Sequence, residues 1–270
     1  KPMAKLGAAF MLGGLATAAT LLLVRGLISQ ELGLDAAGYF AAAWGLTMTY
    51  VGLILSAMVA DYYPRLTEVI YDKVAAVRLM NDQAQLGLAI GGPVLLLLIG
   101  LAPWMITLLY SSAFEPAVTL LQWQMLGNVF KLASWALAIS IVAAARGKTY
   151  FLMELSFNIV FLGMVFIFLP HVGLEVTAYA FVLGYLVYLT IVYVLARSIH
   201  GFHWQTLSLG LLGLYTSLGV ALLVLALMAP LAGAIASPLL AAVTGLFGLR
   251  VVLSKVGKHG RLPTRLYGIF

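Results

Sequence analysis

One lysine, with polar neighbours on a single stripe of an apolar run, is where chemistry could reside in this sequence. Between Phe114 and Lys148, the residues Gln124, Asn128, Lys131 and Trp135 recur three and four apart. On a helix that spacing gathers them within an arc of about 60°. Arg146 follows on the same side, and the surrounding residues are mostly Leu, Val, Ile, Ala, Met and Phe. A lysine at the middle of a membrane-crossing helix costs about 2.5–3.5 kcal/mol on insertion scales. Lys131 stands about 15 residues, or about 22 Å, from either end of the stretch, too far for its stem to reach the headgroups. It must face protein or a water-filled cavity, and the expectation is a transport cavity for something anionic. Gln124, Asn128 and Trp135 would share the wall of that cavity, the amides as hydrogen-bonding groups and the indole as a flat ring face.

Two other charges fall inside apolar runs. Arg25 sits near the far end of the first run, on a face of small residues that includes Gly14 and Ala18. It either snorkels to the headgroups or adds a second cation to the cavity wall. Glu154 shares a face with Tyr150, Asn158 and Phe161. Pairing with Arg146 or Lys148 is one reading of it, and a proton-carrying carboxylate is the other. Tyr179, Tyr185, Tyr188 and Tyr193 read as packing and interfacial residues.

The elements that position these residues follow from composition. The 270 residues are 63% hydrophobic and 9% charged, with a mean hydropathy of +1.07. Soluble domains carry about 25% charged residues. Apolar runs of about 20 residues predict an all-α, polytopic membrane protein of about eight transmembrane helices. A transmembrane barrel is excluded because its strands alternate apolar and polar residues. The spans run from about Leu6 to Ile28, Ala37 to Ala60, Ala84 to Tyr110, Ala117 to Ala145, Tyr150 to Leu169, Val176 to Ala196, Thr206 to Met228 and Ile235 to Leu253.

The charges between spans alternate. Lys1, Lys5, Arg65, Lys73, Arg78, Arg146, Lys148, Arg197 and the tail residues Lys255, Lys258, Arg261 and Arg265 fall on one side. Glu31, Asp35, Glu115, His171 and Glu175 fall on the other. The positive-inside rule then places both ends in the cytoplasm. The net charge of +6 is therefore a topology signal, and nucleic acid is not a partner. Pro64 is expected to end the second span. The polar stretch from Thr67 to Gln83 predicts a short amphipathic surface helix. Gly91-Gly92-Pro93 predicts a kinked third span.

Several chemistries are missing. The sequence has no Cys, which removes disulfides and thiol nucleophiles. No Walker-type phosphate loop exists, and the four His residues complete no metal set. Acids scattered over short loops argue against an enzyme. No cofactor or metal is expected. The start Lys1-Pro2 suggests a piece of a longer chain.

The run Leu121-Gln122-Trp123-Gln124-Met125-Leu126-Gly127-Asn128-Val129-Phe130-Lys131 resembles a helix of the Wzx-type O-antigen and enterobacterial common antigen translocases. These flippases belong to the polysaccharide exporter family of the multidrug/oligosaccharidyl-lipid/polysaccharide (MOP) superfamily. Gly38-Tyr39-Phe40, Tyr63-Pro64-Arg65-Leu66-Thr67 and the segment from Tyr150 to Glu154 carry the resemblance further, over about residues 3–198. It implies two six-helix bundles facing each other across a central cavity. Residues 1–198 would be the C-terminal bundle, opposite an N-terminal bundle outside this sequence. Residues 199–254 would be two additional helices, and residues 255–270 a basic cytoplasmic tail. The implied function is flipping of undecaprenyl-pyrophosphate-linked oligosaccharide by alternating access, for lipopolysaccharide or other surface polysaccharide, beside a polysaccharide polymerase complex. The family's cationic cavity residue corresponds to Lys131, and Arg25 corresponds by position. Asn128 stands where relatives carry Asp, which removes a carboxylate partner for the lysine. An efflux transporter of small organic ions and a non-transporting membrane scaffold are the alternatives.

Overall fold

The computed structural model describes residues 2–256, with side chains from Gly7 to Lys255. The described residues form eight α-helices: α1 (Pro2–Leu32), α2 (Leu34–Val69), α3 (Lys73–Leu109), α4 (Pro116–Ala143), α5 (Gly147–Val172), α6 (Val176–His200), α7 (Thr206–Met228) and α8 (Pro230–Val256). All eight are long and apolar enough to cross a membrane. Helices dominate because a chain in hydrocarbon must satisfy every backbone polar group internally. The chain reverses wherever sequence permits a tight turn. Gly33, at φ 92°, joins α1 to α2. Asp72 Oδ1 accepts hydrogen bonds from the Val74 and Ala75 amides at 3.0 and 3.1 Å and so caps α3. Pro116 opens α4, where a missing N–H costs nothing.

Two of these helices are longer than their spans. α2 has 36 residues and α3 has 37, about 54 and 55 Å against a hydrocarbon core of about 30 Å. Pro64 does not end α2, which continues to Val69. Buried Tyr62 and Leu66 hold the helix on both sides of the proline, and Tyr62 Oη donates to the Ala136 carbonyl at 2.8 Å. The stretch from Thr67 to Gln83 is accordingly not a separate amphipathic helix; it is the end of α2, a turn, and the first turns of α3. Gly91-Gly92-Pro93 does not interrupt α3 either. All three residues are buried, with Leu132 lying over Gly91 and Tyr215 over Gly92, so these are close-packing positions.

α3 and α4 are the most deeply buried helices, and α1 and α8 the least. α3 packs on α4, α7 and α8, while α4 also meets α2 and α6, and α5 lies between α1 and α6. One core cluster gathers Phe40, Trp44, Tyr62, Phe157, Phe161 and Phe181. A second gathers Leu88, Leu95, Met125, Leu126 and Tyr215. α4 contributes to both. Leu12, Leu22, Ile159, Phe166, Ile235 and Leu239 point outward, which suits contact with lipid.

Helix order fixes which loops share an end. Arg65, Lys73, Arg78, Arg146, Lys148, Arg197, Arg250 and Lys255 lie toward one end, and Glu31, Asp35, Glu115 and Glu175 toward the other. The basic end is tied together by polar contacts. Asn81 donates to the His203 carbonyl at 3.0 Å and accepts from Gln205 N at 2.8 Å and Ser208 Oγ at 2.7 Å. Lys255 pairs with Asp82. The tail beyond residue 256 lies outside the described residues, as does Lys1.

Candidate functional site

Lys131 opens onto a cavity of about 320 Å³ inside the bundle. α4 supplies Lys131, Ser134 and Trp135; α2 supplies Trp44 and Met48; α5 supplies Tyr150 and Glu154; α6 supplies Tyr185 and Tyr188; α1 closes one side with Phe10 and Thr17. The helical spacing explains the assembly. Lys131 and Trp135 are four apart, as are Tyr150 and Glu154, and Tyr185 and Tyr188 are three apart, so each helix presents a pair to one side.

The ammonium of Lys131 has soft partners. Its Nζ lies 3.6 Å from Met48 Sδ and 5.2 Å from the centre of the Tyr185 ring. A thioether and a ring face are weak partners for a group with three N–H donors. Glu154 faces the same cavity and attracts Lys131 across it, without forming a direct ion pair. Its Oε1 instead accepts from Tyr188 Oη at 2.5 Å. The expected pairing of Glu154 with Arg146 or Lys148 is not formed. The reason is register: Glu154 lies about two turns into α5, while Arg146 and Lys148 occupy its mouth.

The other members of the stripe are placed differently. Gln124 and Asn128 are fully buried and lie apart from the cavity lining. Gln124 Oε1 accepts from Thr47 Oγ1 at 2.7 Å, joining α2 to α4, and Asn128 Nδ2 donates to the Gln124 carbonyl at 2.8 Å. Arg25 lies on α1 outside this cavity, with its Nε buried. Arg146 lines a different pocket. The structure therefore brings together Lys131, Trp135 and Glu154, and adds Tyr185, Tyr188, Trp44 and Met48. Tyr179 and Tyr193 do serve packing: Tyr179 meets the Trp123 ring at 4.9 Å, and Tyr193 stacks on Trp204 at 6.3 Å. The three-residue spacing of Tyr185 and Tyr188 was the available signal for a shared face, but it did not say which face.

Among the described residues, no three His, Asp or Glu side chains converge to hold a metal ion. The arrangement suits binding: one cation, one hydrogen-bonded carboxylate and a wall of aromatic rings. Fold and site together define an all-α polytopic membrane bundle with a charged internal cavity. Comparison with models of protein families, with curated proteins and with solved structures finds no match.

Proposed function

We propose that this bundle is half of a transporter for anionic, lipid-linked oligosaccharide, and that Lys131 receives the pyrophosphate headgroup as it crosses the bacterial inner membrane. The observation that carries the reading is an ammonium inside the bundle that lines a cavity and has no carboxylate in contact. A pyrophosphate brings about two negative charges, and attraction to a lysine away from bulk water is several-fold stronger than in water. A flexible point charge also suits a guest that must be released. Trp44, Trp135, Tyr150 and Tyr185 line the cavity, and aromatic rings suit sugars as packing partners. Transport by alternating access, the glycan's destination in O-antigen or enterobacterial common antigen, and a facing N-terminal bundle follow from the resemblance of the Lys131 segment to Wzx-type flippases.

Glu154 favours a second reading. A carboxylate among Trp44, Trp135, Tyr150 and Tyr185 also fits a small organic cation, which aromatic faces attract. The two readings diverge on which charge is needed. In cells lacking their own flippase and expressing the full-length protein, Lys131→Gln should abolish surface glycan while Lys131→Arg retains part of it. Normal glycan display by Lys131→Gln at equal expression would overturn the first reading. Loss of organic-cation export in Glu154→Gln, with export intact in Lys131→Gln, would establish the second.

A further inference from the structure

A second cavity, of about 630 Å³, lies at the basic end of the bundle where the start of α1 meets the turn between α4 and α5. Ala8, Ala9 and Leu12 form its apolar wall, and Arg146, Lys148 and Thr149 its polar edge. It is separate from the Lys131 cavity. On α5 that cavity uses Tyr150, Glu154 and Phe157, whereas this one uses Lys148, Thr149 and Phe151. On α1 the two use Phe10 and Thr17 against Ala8, Ala9 and Leu12. The rings of Phe10 and Tyr150, 4.6 Å apart, belong to the Lys131 side.

We infer that this pocket holds the phosphodiester headgroup of an anionic phospholipid from the surrounding bilayer. Three observations converge. Arg146 and Lys148 are exposed, sit two residues apart at the pocket edge, and pair with no carboxylate among the described residues. The turn that carries them joins two membrane-length helices, so it lies near headgroup depth. The apolar wall continues along α1 through Leu12, Leu15, Leu22 and Leu23, all exposed, which gives acyl chains a track below the headgroup. The helix turn fixes the geometry: Arg146 N donates to the Ile141 carbonyl at 3.2 Å and Ala145 N to the Val142 carbonyl at 2.8 Å. Both cations are thereby held to one rigid reversal of the chain.

The chemistry selects among phosphate-bearing ligands. A zwitterionic headgroup brings its own cation, which Arg146 and Lys148 repel. Free phosphate has no use for Ala8, Ala9 and Leu12. A sugar diphosphate brings many hydroxyls, and among the described residues Thr149 is the sole hydroxyl lining the pocket. An anionic phospholipid satisfies both the cations and the wall. Basic pockets between helices at headgroup level recognise such lipids in general.

The test is lipid titration of the purified full-length chain in detergent, read by native mass spectrometry, with phosphatidylglycerol against phosphatidylcholine. Phosphatidylglycerol should bind about tenfold more tightly or better, since each surface cation contributes about a factor of five toward an anionic lipid. Arg146→Gln/Lys148→Gln should erase that preference, each single variant should lose part, and Arg146→Lys should keep most of it. Lys131→Gln should leave it unchanged. Equal binding of the two lipids by the parent chain overturns the proposal. So does an unaltered preference in the double variant, or loss of preference in Lys131→Gln, which would move the headgroup to the other cavity. Displacement by inorganic phosphate at concentrations below those needed for short-chain phosphatidylglycerol would also overturn it, by replacing the lipid with a free anion.

Discussion

An ammonium deep among apolar helices needs partners for three donors, and the identity of those partners decides what it can do. A carboxylate in contact would have made Lys131 a brace, costly to break once desolvated. Met48 and Tyr185 hold it more weakly, while Glu154 is occupied by Tyr188. The position of Lys131 was legible in the sequence because charge within an apolar run is rare. The residence of Gln124 and Asn128 was not. Seven residues separate Gln124 from Lys131, which is about 10 Å of rise, so a shared helix face does not imply a shared depth. At the depth of Gln124, α2 presents Thr47, so Gln124 joins α2 to α4, while Asn128 bonds back to the Gln124 carbonyl of its own helix instead of lining space. A backbone residue offers a sharper prediction. Ala145 sits at φ 55° in the turn after α4, where glycine is usual. The left-handed conformation costs a residue with a Cβ about 1–2 kcal/mol, against about 0.5–1 kcal/mol for the extra freedom glycine has when unfolded. Ala145→Gly should therefore stabilise the bundle by up to about 1 kcal/mol. Gly201→Ala, at φ 72°, should do the reverse. Thermal unfolding in detergent reads both.

At the scale of helices, length and close approach decide the architecture. Periodicity announced the spans because about 20 apolar residues in a row have few alternatives. It did not announce that α2 and α3 run on together beyond the bilayer, because polar sequence reads alike as loop or exposed helix. What settles it is contact: Leu66, Ile70, Ala76, Val77 and Met80 are all buried in one core cluster. Which glycines pack closely was not legible, because their partners depend on helix arrangement: Gly91 and Gly92 read as a kink and proved to be packing positions. Gly248 of α8 lies against the Ala89 carbonyl of α3, so an added Cβ would collide with backbone that cannot step aside. Gly245, on the same helix, would place a Cβ 3.8 Å from Pro93 Cβ, an ordinary contact. Gly248→Ala should thus destabilise by about 1–3 kcal/mol, while Gly245→Ala should be neutral or stabilise by up to about 1 kcal/mol, through the freedom glycine has when unfolded. Denaturation in mixed micelles compares the pair. Equal effects would show that α8 is not seated on α3 through this surface.

The whole molecule is ordered by charge as much as by hydrophobicity. One end of the bundle carries Arg65, Lys73, Arg78, Arg146, Lys148 and Arg197, and the other carries Glu31, Asp35, Glu115 and Glu175. The alternation could be counted in the sequence because each charge stands next to a span, and the helix order reproduces it. Orientation in the membrane is the remaining step, and it rests on the positive-inside rule. The absence of Cys from the sequence makes the experiment clean, since a single introduced thiol is the sole target of a membrane-impermeant maleimide. Tyr71 in the α2–α3 turn is 91% exposed and Leu34 at the start of α2 is 80% exposed. α2 spans the distance between them. Tyr71→Cys should be labelled only in inverted vesicles and Leu34→Cys only in intact spheroplasts. His203→Cys, at an exposed position of the α6–α7 connection, should follow Tyr71→Cys. Reversed labelling of all three would invert the protein and leave the fold intact. Labelling of Tyr71→Cys and Leu34→Cys from the same side would mean that α2 does not cross, and the bundle as a membrane-spanning unit would fall with it.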